Sequence, residues 1–169
     1  MRGTLWLSYQ PFRKGNIMDT VQIAEQVESK LNDLLGETPH GDPYELSGAR
    51  LYGVSFGDKG EVSLDFITEH RDVYDLLGDS DNAVIASGFI YTLVVTTGWA
   101  APLGDNGEVE GAPSQHKLRR RVRLAVVANY DSVASVLRFA DAPSEPITDP
   151  GQATGSLADA IKQFVSQAR

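Results

Sequence analysis

Lys117-Leu118-Arg119-Arg120-Arg121-Val122-Arg123 places five of the chain's 15 basic residues in seven positions of a protein whose formal net charge is −8. Arginine carries a planar, permanently charged fork that grips a carboxylate or phosphate through two parallel hydrogen bonds. Strand alternation puts Arg119, Arg121 and Arg123 on one side, and Leu118, Val122, Leu124 and Val126 on the other with Arg120 beside them. Three guanidiniums in a row on an acidic background suit the capture of an acidic partner or a small anionic ligand. The plainer alternative is a solvated strand end whose arginines pair across a sheet with Glu61, Asp65 or their neighbours, each exposed pair contributing about 0–1 kcal/mol. Trp99, beside two alanines and a proline, either anchors the preceding loop or offers a flat partner to a ligand.

A catalytic use of the same region would make His116, close to Ser114 and the arginines, a general acid or base, with Arg119 and Arg121 stabilising negative charge and Asp65 or Glu69 supplying a carboxylate. That set suits a small hydrolase acting on a phosphorylated or carboxylated small molecule. Loop spacing of two residues fixes no geometry, however, so the binding function is preferred. His40 with Asp42 falls short of a metal-ligand set, and neither a metal nor a cofactor is expected. Ser114-Gln115-His116-Lys117 and Ser80-Asp81-Asn82 spell β-lactamase signatures, but in reversed order, with no Lys-Thr-Gly following. A third possibility is a homo-oligomer in which Asp105, Glu108 and Glu110 of one subunit meet the arginines of another.

Composition bounds these choices. A length of 169 residues with 41% hydrophobic and 22% charged content fits one soluble domain with a packed core. Zero cysteines remove disulfides and thiolate metal sites and favour a cytoplasmic location. A pI near 4.8 weighs against nucleic acid and anionic membranes as partners. No apolar run approaches the length of a membrane span.

The elements that must hold the arginines follow from periodicity. Asp19 caps an amphipathic helix carrying Val21, Ala24, Val27, Leu31, Leu34 and Leu35 up to Gly36, with Gln22 completing a capping box. Arg50 to Phe56 and Glu61 to Ile67 form a hairpin around Gly57-Asp58-Lys59-Gly60. Thr68 caps a short second helix. Val84 to Thr97 reads as one long strand covered on both sides, with Gly88 a bulge, and the loop Gly98 to Ser114 follows it. Leu118 to Ala128 and Ser132 to Phe139 make a second hairpin around Asn129-Tyr130-Asp131, the Pro-rich Asp141 to Pro150 is a connector, and a closing helix starts at Ser156.

The expected class is therefore α+β, a five-stranded antiparallel meander with helices packed on one face in the order α-β-β-α-β-β-β-α. Residues 18–169 form the single domain. Residues 1–17 are an N-terminal extension dispensable for folding, either disordered or adding an edge strand from Leu5 to Tyr9. The element order resembles the sensor-like GAF, PAS, profilin-like and roadblock folds, a likeness that implies no function. Pro113 to Leu124, together with Trp99-Ala100-Ala101-Pro102 and Ala134 to Arg138, resembles a pattern of uncharacterised actinobacterial proteins and implies no known activity.

Overall fold

Asp19 starts helix α1 (Thr20–Gly36): its carboxylate accepts the Gln22 N–H at 2.8 Å and the Gln22 side chain accepts the Asp19 N–H at 3.2 Å. These reciprocal bonds satisfy donors that the first turn leaves unpaired. In the computed structural model, which describes residues 19–37, 41–102, 104–107, 111–149 and 156–167, the helix buries Ile23, Ala24, Val27, Glu28, Leu31 and Leu35. The extension 1–17 and His40 lie outside the described residues.

Strands β1 (Ala49–Phe56) and β2 (Val62–His70) form the expected hairpin, with Gly60 at φ 82° where a side chain would be strained. Thr68 is not a helix cap; pairing of Ala49 with His70 carries β2 past it, and Asp72 caps helix α2 (Val73–Gly78) instead. Helix α3 (Ser80–Ala86) replaces the start of the expected long strand, because the Asp79 carboxylate accepts the Asp81 N–H at 2.9 Å and Ala83 and Ala86 turn inward together. Gly88 lies in the turn after α3, bonded to Ile85, rather than in a bulge. Strand β3 runs from Tyr91 to Ala100, so Gly98 and Trp99 belong to a strand and not to the loop. After the 3₁₀ turn Pro113–Gln115 come β4 (Arg120–Ala128), β5 (Val133–Phe139), β6 (Ala142–Thr148) and helix α4 (Ser156–Gln167).

The class is α+β; the described residues form a single sheet of six antiparallel strands in the order β2-β1-β3-β4-β5-β6 and four helices, against the expected five and three. The additional strand is the Pro-rich stretch read as a connector. As an edge strand β6 needs ladder bonds on one side only, which lets it carry Pro143 and Pro146. The helices pack on both faces rather than one. Tyr52, Val54, Leu93, Val95, Ala125 and Val127 face α1, whereas the alternate residues Leu51, Val94, Val126 and Ala128 face α2, α3 and α4. No helix among the described residues is long and apolar enough to cross a membrane.

Candidate functional site

Strand β4 lies between β3 and β5, and its first residues stand where the sheet emerges from beneath α1. In the β3–β4 register Trp99 faces Arg121 directly. The Arg121 guanidinium stacks 4.1 Å from the Trp99 ring centroid and that of Arg119 lies 4.9 Å from it. One indole thus holds two cations, each contact contributing about 0.5–1 kcal/mol at an exposed site. Arg121 also donates to the Tyr44 carbonyl at 3.4 Å and pairs with the exposed Glu45 carboxylate at 2.9 Å. Arg119 donates to the His116 carbonyl at 3.2 Å; among the described residues no carboxylate pairs with it.

Arg120 projects to the other face, stacks 3.8 Å from the Phe139 centroid and holds Asp141 through Nε at 2.9 Å. That bond keeps the Asp141 carboxyl below its ordinary value.

Arg123 shares a side of β4 with Arg119 and Arg121 but reaches no solvent. It lies under α1, where Nη2 donates to Glu28 at 3.0 Å and to Asn32 at 2.7 Å, and its guanidinium sits 5.0 Å from the Tyr44 ring. Arg138 stands opposite Arg123 in the β4–β5 register and binds the same carboxylate, through Nε at 2.8 Å and through Nη2. Two cations therefore share one buried anion. Burial alone pushes the Glu28 carboxyl up, but hydrogen bonds and charge from Arg138 and Arg123 outweigh it and hold the pKa below its ordinary 4.5. Burial likewise pushes the Tyr44 phenol up, against the pull of the same two arginines. Among the described residues Tyr44 Oη and Arg123 Nε find no hydrogen-bond partner.

The alternative pairing of these arginines with Glu61 or Asp65 across the sheet is not what the described residues show; Arg121 meets Glu45, Arg123 meets Glu28 and Arg120 meets Asp141. The apolar periodicity of the α1 stripe does not by itself point to Glu28. Its signal was its place on that stripe, one turn from both Ala24 and Leu31.

His116 is half-buried, and its Nδ1 accepts the Leu118 N–H at 2.9 Å, which commits one ring nitrogen to the turn. Asp65 is in register with Gly53, Thr92 and Ala128, at the far end of β4. Glu69 lies three strands away, about 14 Å at the usual strand spacing, and binds Arg50 at 2.9 Å. The structure brings His116 to neither carboxylate. Asp105 is exposed in the β3–β4 loop; Glu108 and Glu110 lie outside the described residues.

Trp99, Arg119 and Arg121 thus form one half-exposed face, bordered by the exposed Lys117, while Arg123 is part of the core beneath it. Such a face can hold a carboxylate or phosphate between two guanidiniums positioned by a shared ring. No family model, no curated protein and no solved structure matches this chain.

Proposed function

We propose that this domain is a non-catalytic interaction module that holds an acidic segment of a partner protein at the Trp99–Arg123 region, with Arg119 and Arg121 making the contact. The observation that carries this is the stacking of both guanidiniums on Trp99, at 4.9 and 4.1 Å, with Arg119 not paired to a carboxylate of the described residues. A charged fork already fixed in direction loses less rotamer freedom on binding than a free side chain would. The Arg121–Glu45 pair is no obstacle. Glu45 is half-exposed, and an exposed pair is worth about 0–1 kcal/mol, so an incoming carboxylate can displace it.

The test is calorimetric titration of the full chain with a short oligoglutamate peptide and, in parallel, with inorganic phosphate. A charged hydrogen bond contributes about 1.5–3 kcal/mol, so Arg119→Ala weakens peptide binding about tenfold or more. Arg121→Ala does the same, and Trp99→Ala weakens binding by freeing both arginines. Binding of phosphate but not peptide would move the function to a small anionic ligand. Unchanged affinity in both arginine variants would remove the face from the account.

A further inference from the structure

The buried cluster of Arg123, Glu28 and Arg138 carries two positive charges against one negative. Glu28 is the only carboxylate among the described residues that pairs with either arginine, and these three residues and Tyr44 are all more than nine-tenths buried. Arg138 uses every guanidinium nitrogen: Nε and Nη2 donate to Glu28 and Nη1 to the Pro143 carbonyl. In Arg123, Nη2 donates to Glu28 and Asn32 and Nη1 to the Pro43 carbonyl at 3.5 Å, but the buried Nε–H has no acceptor among the described residues. The Tyr44 hydroxyl, brought in by the chain between α1 and β1, is buried without a partner too. Its ring lies 5.0 Å from the Arg123 guanidinium, and burial pushes the phenol above its ordinary value, so at neutral pH it keeps its proton and is a donor. Two donors of one cluster and one positive charge are therefore left over.

We infer that this cluster binds one small monovalent anion of the halide class, which accepts from the Tyr44 hydroxyl and the Arg123 Nε–H. Buried charges persist when they are paired and fully hydrogen-bonded, whereas Arg123 shares its carboxylate with Arg138 and keeps one N–H unused. A halide supplies the missing charge and accepts hydrogen bonds from any direction. Water would accept from both donors yet leave the charge uncompensated, and a doubly charged ion such as phosphate would reverse the imbalance and lose more hydration on burial. The exposed carboxylates of Asp33 and Asp42 also act on the cluster, but from the solvent side, where salt screens them. Asn32 marks where a second internal anion would stand: its side-chain oxygen accepts from Arg123 Nη2 at 2.7 Å, and a carboxylate there would give each arginine its own partner. The site lies beneath α1 rather than on the Trp99 face, so it does not rest on the capture of an acidic segment.

The experiment follows thermal unfolding of the full chain while sodium chloride replaces sodium gluconate at constant ionic strength, gluconate being too large to enter a closed core. Binding predicts a Tm that rises with chloride and levels into a logarithmic dependence, reaching about 3–6 °C at ten times the dissociation constant. Tyr44→Phe keeps the ring and removes one donor, which weakens chloride binding about tenfold or more. Asn32→Asp supplies the missing charge covalently, melts above the parent in gluconate and no longer responds to chloride. Circular dichroism checks that both variants fold. In crystals grown in sodium bromide, anomalous scattering places a bromide within hydrogen-bond reach of Tyr44 Oη and Arg123 Nε. A Tm that changes in simple proportion to chloride is a general salt effect and overturns the inference. A chloride response that survives undiminished in both variants puts the ion elsewhere and also overturns it, as does loss of the response in Arg119→Ala, which would put the ion on the exposed face.

Discussion

Arg121 and Arg123 are two residues apart on one side of one strand, yet the first is a surface cation and the second is fully buried, because α1 ends its cover between them. The cost of burying Arg123 and Arg138 is offset by the single carboxylate of Glu28 and by the Asn32 side chain, so Glu28 governs whether this part of the core is stable. Removing one partner of a buried pair costs about 3–5 kcal/mol, and Glu28→Gln, which leaves two cations facing each other across β4 and β5, is expected to cost that much in urea unfolding at neutral pH. Because the folded carboxyl titrates below its ordinary 4.5, the stability it contributes is present above that value and is lost as pH falls through the lower folded pKa. Unfolding midpoints measured from pH 6 downwards should therefore drop more steeply below about 4.5 in the parent than in Glu28→Gln. Parallel pH profiles would show that Glu28 does not carry the pair. The arginine alternation was legible in the sequence; the burial of its last member was not, since alternation gives a side of the strand without telling where the covering helix stops.

At the scale of elements, contact between β1 and the turn before β3 rests on an absent side chain. A Cβ at Gly53 would lie 2.2 Å from the Phe89 ring, at the root of the side chain where little movement is available. Gly53→Ala is accordingly expected to destabilise by about 1–3 kcal/mol, the usual cost of overpacking. Phe89→Ala on its own loses ring packing, but adding Gly53→Ala to it should cost little more; strict additivity of the two in denaturant unfolding would show that they do not meet. The same segment marks the limit of sequence reading. From Val84 to Ile90 the β-branched and aromatic residues spell a strand, but Asp79 caps a helix first and the ladder begins only at Tyr91. Likewise Pro143 and Pro146 argued against a strand, and only the edge position of β6, a property of the whole sheet, admits them. Where local and tertiary signals agreed, at the Asp19–Gln22 capping box and at the Asn129 turn, whose side chain accepts the Asp131 N–H at 2.9 Å, the elements were legible.

Across the whole molecule, one sheet serves two cores. Leu31 of α1 packs with Val54, Leu93 and Val127 on one face, while Phe164 of α4 packs with Leu51, Val94 and Val126 on the other, and these residues alternate along β1, β3 and β4. Loosening either layer exposes one face of strands that the other layer needs in place. The two cores should therefore unfold together, in a single transition seen alike by near- and far-ultraviolet circular dichroism. Leu31→Ala removes a fully buried side chain from the first core and is expected to cost about 2–5 kcal/mol; Phe164→Ala does so in the second at about 3–5 kcal/mol. For a chain of this size each kcal/mol lowers Tm by about 2–4 °C, so both variants should shift one common transition by about 4–20 °C. A melt in which Phe164→Ala lowers only part of the signal, leaving the α1 face to unfold at the parental temperature, would show that the sheet does not couple its two faces.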